Sequence, residues 1–418
     1  MATYIIEGGK KLTGSIRVSG NKNSVLPCMA AAVLSDKPVT LTNVPHISDV
    51  AVMIEILTAL GVKVERGEHT LTINAAELAD FRMPKQLITR LRASILLVGP
   101  LLGRMGKAEF SHPGGDIIGK RSIETHIQGF EELGFEFKRE DRDYIGKRIE
   151  DEGSVEIFLD EPSVTATENL IMAASYGKGK TILKNCAMEP HVQDLCNLLV
   201  KMGVEIDGIG SPTLTIQATT AFDEAEFDIG TEYLEIGTYA VAAAITGGKI
   251  TLTNTSLKDL EPIYLPLQKM GILFEEAKDG IEVSGGELTA INRLHVRPWP
   301  GFSTDLMSMT IVLATQSKGI SLLHDWMYES RMFFTDKLMS MGANIVIADP
   351  HRVIVYGPSQ LWGREMETPD IRAGMALVLA ALCAKGRSVI NKAELIERGY
   401  ENIVENLASL GADIQRID

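Results

Sequence analysis

Six short clusters of polar and charged residues stand at the head of apolar runs, and their types could bind and turn over an anion. They are Lys22-Asn23, Arg90 with Arg92, Thr165 with Thr167, Glu232 with Glu235, Thr304-Asp305 and Asp370 with Arg372. A helix N-terminus carries unpaired N–H groups and the positive end of the helix dipole, so it favours negative charge. Asn23, Thr165, Thr304 and Asp370 are residue types that cap such an end. Lys22, Arg90 and Arg92 carry the charge that the dipole disfavours, which points to an anionic ligand rather than to capping. Polar groups at the first turn of a buried helix also require a wet cleft or a ligand.

The elements that hold these clusters repeat. The apolar runs that follow them are Asn23–Leu34, Arg92–Leu102, Ala166–Ser175, Glu235–Ile245, Asp305–Thr315 and Arg372–Ala384. Several are apolar on all sides, which predicts helices buried on all sides. A second, amphipathic helix type is predicted ahead of a recurrent phrase, as in Asp49–Leu60 and Arg398–Leu410. That phrase is Leu60-Gly61, Leu133-Gly134, Met202-Gly203, Met270-Gly271, Met341-Gly342 and Leu410-Gly411. It returns roughly every 70 residues, too long for a solenoid unit and fitting one α/β module used six times. Strands are predicted at Val39–Thr42, Ile250–Thr253 and Ser388–Asn391.

Bulk properties narrow the class. A chain of 418 residues with 45% hydrophobic content suits two domains of three modules each. The apolar runs are shorter than the ~20 residues of a membrane span, and the first residues lack a signal-peptide pattern, so a soluble protein is expected. A formal net charge of −14 argues against a broad nucleic-acid surface, although a local cluster of cations can still focus the field on a small anion. Cys28, Cys186, Cys196 and Cys383 form no CxxC pair and read as inert buried thiols. The eight histidines show no metal-binding spacing, so neither metal nor cofactor is expected. Gly114-x4-Gly119-Lys120 mimics a phosphate loop, but Arg121 replaces the magnesium-holding Ser/Thr. Gly177–Thr181 reads as a turn between helix and strand, and Glu140–Glu152 as a solvated hairpin or loop.

A family resemblance runs through all six modules. Gly20-Asn21-Lys22-Asn23-Ser24-Val25-Leu26-Pro27, Asn43-Val44-Pro45 with Asp49, and Leu91-Arg92-Ala93-Ser94 resemble the bacterial UDP-N-acetylglucosamine 1-carboxyvinyltransferases. So do Pro113 to Arg121, Ser303-Thr304-Asp305, Glu329-Ser330-Arg331, Asp370-Ile371-Arg372-Ala373 and Glu397-Arg398-Gly399-Tyr400. The resemblance implies the enolpyruvyl-transferase fold: a two-domain, inside-out α/β barrel of six βαβαββ-like repeats closing on a cleft. It implies residues 22–229 as one domain, and residues 1–21 with 230–418 as the other. A double-stranded hinge is then expected near residues 21 and 229. The implied reaction transfers enolpyruvate from phosphoenolpyruvate to the 3′-hydroxyl of UDP-N-acetylglucosamine, releasing phosphate, the first committed step of peptidoglycan synthesis. A cytoplasmic monomer acting on these two small molecules is expected, with no nucleic-acid or membrane partner.

Residue roles follow by the same resemblance. Lys22, Arg121 and Arg398 would clamp phosphoenolpyruvate, with Asn23 at the reacting centre; a trianion suits several cations, and Arg offers a planar fork. Asp305 would take the proton of the attacking hydroxyl. Arg92, Arg121, Ser122, Ile123, Glu124, Thr125, the stretch 161–164 with Ser163 and Val164, Asp305 and Met327 would line the sugar-nucleotide site. Asp370, Arg372, Arg331 and Glu189 would support it, Asp370 and Arg372 serving equally well as an N-cap with its ion pair. Asp116 stands where the family usually has cysteine, as general acid toward C3 of phosphoenolpyruvate. Its ordinary pKa of ~3.9 requires the bound anion to raise it. A carboxylate lacks the thiolate that fosfomycin alkylates, so insensitivity is expected.

Three positions depart from the family pattern. Thr165 replaces glycine, Tyr233 an arginine and Trp299 a histidine. They keep two alternatives open: another sugar-nucleotide acceptor, or a non-catalytic UDP-sugar-binding paralogue.

Overall fold

In a computed structural model, residues 2–115, 118–119, 121–149 and 153–418 are described. Asp116 and Lys120 therefore lie outside the described residues. The fold repeats one unit: a strand, an outer helix and a returning strand pair, packed on one buried helix. Where the outer helix ends, the recurrent glycines sit at φ between +83° and +107°. In this left-handed position the chain reverses, and the next amide bonds back into the helix. Val62 N–H reaches Leu57 O at 3.0 Å, Val204 reaches Leu199 at 3.0 Å and Ala412 reaches Leu407 at 3.0 Å. The Leu or Met before each glycine is buried, anchoring the turn in the core. That is why the phrase recurs.

Each module makes one small sheet, and each sheet borrows a strand. Lys180–Lys184 pairs antiparallel with Thr213–Gln217, which pairs with Glu205–Asp207, while Ser154–Phe158 adds a parallel edge. The same order places Ala225–Asp228 parallel to Val39–Thr42, Thr13–Arg17 parallel to Lys249–Thr253, Arg293–His295 parallel to Gly319–His324 and Glu365–Glu367 parallel to Arg387–Asn391. In the second module the parallel edge shrinks to a bridge between Arg82 and Glu109, beside Lys107–Ser111. Because every parallel edge comes from the preceding module, three modules close on themselves: Ala225–Asp228, after the third, edges the first. Thr3–Glu7 lies between Arg387–Asn391 and Asp413–Ile417, so the first strand of the chain completes the last module.

The chain divides into two compact units. Of the described residues, one comprises 20–115, 121–149 and 153–230; the other comprises 2–19 and 231–418, together with Ile118 and Gly119. Each has its own apolar core. The helices inside are Lys22–Ala31, Val98–Met105, Val164–Ser175, Tyr233–Thr246, Met307–Gln316 and Ile371–Cys383. Ile371–Leu382 is buried without a break, as is Tyr233–Ala244. The second and fifth begin with 3₁₀ turns, Arg92–Leu97 and Thr304–Leu306. In the first unit these helices run parallel. A Cβ at Gly99 would stand 2.3 Å from Asn169 O, and one at Gly103 would stand 3.1 Å from Tyr176 Cβ and 3.4 Å from Ala173 O. Arg104 near the end of one helix donates to the carbonyls of Val33 and Ser35 just past another, at 2.7 and 2.8 Å.

One predicted helix is shorter than its pattern. Instead of Arg398–Leu410, the helix is Ile403–Ser409, preceded by a 3₁₀ turn over Ala393–Arg398. Asn402 at φ +45° breaks the continuity, and its backbone leaves the right-handed region. Phe135–Glu140 and Asp143–Arg148 form a hairpin. The cysteines are unbridged; three are buried and Cys383 is partly so. No helix among the described residues is long and apolar enough to cross a membrane.

Candidate active site

In the first unit, the helix start at Lys22 is capped by the residue before it. Asn21 Oδ1 accepts from the N–H groups of Asn23 and Ser24 at 2.8 and 3.2 Å. Capping therefore does not explain Asn23, whose side chain projects from the first turn. Lys22 Nζ meets Asp49 Oδ2 at 2.7 Å, the lysine 12% and the aspartate 4% exposed. Asp49 opens the outer helix Ser48–Ala59, so two helix starts meet at one ion pair. That carboxylate offsets the unfavourable placing of a cation at an N-terminus.

Arg92 and Arg90 part company. An Nη of Arg92 donates to the carbonyls of Arg121 and Ser122, both at 3.1 Å, tying the 3₁₀ turn to the loop that opens helix Glu124–Glu132. Arg90 instead pairs with Glu55 at 3.1 Å on the surface, both about half exposed. The anion-binding expectation is thus unsupported for Arg90. Gly114 and Gly115 lie against the same turn; a Cβ would stand 1.8 Å from Thr89 O and 2.7 Å from Arg92 Cβ respectively. Two glycines are needed for that approach.

The remaining sugar-site candidates of this unit gather around helix Val164–Ser175. Ser163, not Thr165, is its cap, accepting from Ala166 N–H at 3.4 Å. Thr125 Oγ1 donates to Glu161 Oε1 at 3.2 Å, and Ser122 Oγ accepts from Glu124 N–H at 3.1 Å. Ile123 is buried; Glu124 is exposed and Val164 partly so. Burial raises the carboxyl of Glu168 well above its usual range, and Glu189, ahead of helix Pro190–Lys201, adds to the effect. Two neighbouring acids without a bound cation favour protonation of one. Glu168 is a feature that sequence reading missed; its signal was an acid in the middle of an otherwise buried helix.

In the second unit, one carboxylate takes two guanidinium groups. Asp305 Oδ1 accepts from Arg331 at 2.9 Å, and Oδ2 accepts from Arg372 Nε at 3.0 Å. The arginines are 2% and 6% exposed at the side chain, Asp305 28%. The two guanidiniums hold Asp305 ionised and fix the direction of its carboxylate. Asp370 caps its own helix, accepting from Arg372 N–H and Ala373 N–H at 2.9 and 3.0 Å. It also stands 3.9 Å from Arg331. Burial works against the Arg331 charge, but Asp305, Asp370 and Asp325 outweigh it, so its pKa is raised. The Arg372 guanidinium lies 5.4 Å from the Tyr400 ring centroid. Asp370 is therefore a cap, as expected, while the ion pair of Arg372 is with Asp305 and not with the cap.

Around that centre, Ser303, not Thr304, caps the turn, accepting from Asp305 N–H at 3.3 Å. Thr304 Oγ1 donates to the buried Asp325, which also accepts from Met327 N–H at 3.0 Å. Arg398 ends its 3₁₀ turn half-buried. Ser330 N–H donates to Ile118 O at 3.0 Å. Two of the three departures from the family pattern pack together: the rings of Tyr233 and Trp299 have centroids 5.9 Å apart, with Tyr233 4% exposed. They form a packing pair at the edge of the apolar core.

An inside-out α/β fold of six modules with carboxylates and guanidiniums at its helix starts defines an enolpyruvyl-transferase architecture. Residues 6–407 match the family EPSP synthase (3-phosphoshikimate 1-carboxyvinyltransferase). Curated relatives named UDP-N-acetylglucosamine 1-carboxyvinyltransferase include those of Treponema denticola, 45% identical over 99% of both chains, and Bradyrhizobium diazoefficiens, 45% identical over 99% of this chain and 98% of the relative. The enolpyruvyl transferase NikO from Streptomyces tendae superposes with a TM-score of 0.89 over 99% of this chain and 98% of that one, at 23% identity. EPSP synthase from Acinetobacter baumannii superposes with a TM-score of 0.78 over the full length of both, at 16% identity. The chain belongs to the enolpyruvyl-transferase family.

Proposed function

We propose that this chain is a cytoplasmic UDP-N-acetylglucosamine 1-carboxyvinyltransferase, transferring enolpyruvate from phosphoenolpyruvate to the sugar 3′-hydroxyl. It thereby commits the sugar nucleotide to peptidoglycan. The observation that carries the reading is near-full-length identity of 45% to relatives of that name. The acceptor hydroxyl adds to C2 as C3 gains a proton. Phosphate then leaves from C2 as C3 loses a proton, restoring the double bond. Asp305 takes the hydroxyl proton, while Arg331 and Arg372 fix its orientation. Lys22, Arg121 and Arg398 hold the anion, with Asn23 beside it and Asp116 giving the proton to C3. Arg92, the 121–125 stretch, Ser163, Val164 and Met327 hold the sugar nucleotide. The enzyme works as a monomer.

The test is phosphate release from phosphoenolpyruvate with UDP-N-acetylglucosamine and a panel of other nucleotide sugars. Release with UDP-N-acetylglucosamine is expected. Release only with another acceptor, or none, would overturn the reading.

A further inference from the structure

Asp325 follows the strand Gly319–His324 of the fifth module and is fully buried. Its backbone is clamped by the turn between the strands Asn344–Asp349 and Arg352–Gly357. Asp325 N–H donates to His351 O at 2.8 Å, and His351 Nδ1–H donates back to Asp325 O at 2.8 Å. From that fixed position the carboxylate reaches two segments of the site. One oxygen accepts from Thr304 Oγ1, and the other from Met327 N–H at 3.0 Å, with Tyr328 N–H donating as well. Arg331, which donates to Asp305 at 2.9 Å, lends Asp325 its positive charge. Burial raises the Asp325 pKa, against the pull of the Thr304 hydroxyl, Arg331 and the two amides. All of these partners are donors or cations, the set that an ionised acid satisfies.

The turn that carries Asp305 needs such a tie. Thr304–Leu306 is a 3₁₀ turn of three residues, and its cap bond from Asp305 N–H to Ser303 Oγ is long at 3.3 Å. Arg331 and Arg372 aim the Asp305 side chain but do not hold this backbone. We infer that Asp325 is a positioning residue that ties the turn carrying Asp305 to the loop carrying Met327. One buried carboxylate thereby sets the base and the acceptor sugar relative to each other. The inference rests on the proposed function, which gives Asp305 the hydroxyl proton and Met327 a place on the sugar nucleotide. A proton transfer between the two is sensitive to small displacements, so loosening the tie slows the reaction before it unfolds the chain.

The experiment measures kcat and both KM values by phosphate release, with melting temperature alongside. Thr304→Val removes the hydroxyl and keeps the shape; it should lower kcat about tenfold, the scale of one buried hydrogen bond, and Thr304→Ser should recover most of the loss. Asp325→Asn keeps an acceptor for Met327 N–H but turns a donor toward Thr304. It should lower kcat about tenfold while KM for UDP-N-acetylglucosamine moves less than about twofold. Asp325→Ala loses both ties and should raise that KM about tenfold as well. Because Thr304 acts through Asp325, adding Thr304→Val to Asp325→Ala should change kcat by less than about twofold further. Multiplying effects in the double variant, or wild-type kcat in Asp325→Asn, would overturn the inference. A merely structural role would lower the melting temperature and leave kcat per folded molecule unchanged, which also overturns it. Where the alanine variant does not fold, the asparagine split and the serine rescue decide. Release by the wild type only with another acceptor overturns the proposed acceptor alone, and the same variants on that acceptor still decide the role of Asp325. No release with any acceptor overturns both.

Discussion

Arg372 donates from Nε to Asp305 at 3.0 Å across 67 residues of chain, and the carboxylate it meets already holds Arg331. The pairing places charge in a site where both guanidiniums are nearly buried. Removing the shared carboxylate therefore takes from two buried cations the acid they share, and Arg331 keeps only the more distant Asp370, 3.9 Å away, and Asp325 to offset its charge. Asp305→Asn is expected to lower kcat at least a hundredfold and to destabilise the fold by about 2 kcal/mol. That figure is below the usual cost of breaking a buried pair because Asp305 is 28% exposed. Stopped-assay kinetics and urea unfolding check the two effects separately. Arg372→Lys keeps the charge but loses the fork and its approach to Tyr400, so it should impair kcat more than stability.

Lys22 and Asp49 make the complementary case. Asp49 is the more buried partner, so Lys22→Met strands a buried carboxylate, and about 2–4 kcal/mol of stability should be lost. Adding Asp49→Asn to that variant should restore much of the stability without restoring phosphoenolpyruvate binding. Calorimetry with phosphoenolpyruvate separates the roles: a double variant that binds normally would remove Lys22 from the clamp.

Asp116 is expected to be essential in spite of replacing a cysteine. Asp116→Asn should abolish turnover and leave UDP-N-acetylglucosamine affinity within threefold of wild type. Preincubation of the wild type with fosfomycin should give no time-dependent loss of activity and no mass adduct. Progressive covalent inactivation would refute the insensitivity.

Two buried groups predict opposite pH slopes of stability. Burial pushes the Glu235 carboxyl up to about 8, with Glu232 and Glu401 adding to the shift while the Ser19 N–H and hydroxyl oppose it. The folded chain keeps this proton while the unfolded chain releases it from about pH 4.5, so stability falls as pH rises between about 4.5 and 8. Glu235→Gln should flatten that part of the melting-temperature profile and gain most at pH 8. His126 behaves oppositely. Its unfolded form takes a proton below about 6.5 and its folded form only near 3, so its contribution is lost as pH falls across that window. His126→Asn should flatten the acid side alone. Identical profiles for wild type and both variants would contradict the burial argument.

Much of the fold was legible because the phrase Leu/Met-Gly reports local backbone geometry. A glycine at positive φ after a buried Leu or Met is a property of one turn, and six copies expose the module. The all-apolar runs reported buried helices for a similar reason, since no face of them could remain wet. Caps were less legible. Asn23, Thr165 and Thr304 are good cap types, but Asn21, Ser163 and Ser303 do the capping. A shift of one or two residues lies below the resolution of a periodic pattern.

The amino-acid sequence alone determined that this chain is a sixfold α/β repeat with cations and carboxylates at the starts of its buried helices, because periodicity and burial are encoded locally. Only the tertiary structure decided which of those charges meet. It set Arg372 on Asp305 rather than on its own cap, sent Arg90 to the surface with Glu55, and packed Tyr233 on Trp299. It also ran hydrogen bonds from Gly99 through Asn169 and His126 to Thr165. Such pairings depend on distances between residues 35 to 70 positions apart in the chain, and hydrogen-bond strength falls away within a few tenths of an ångström.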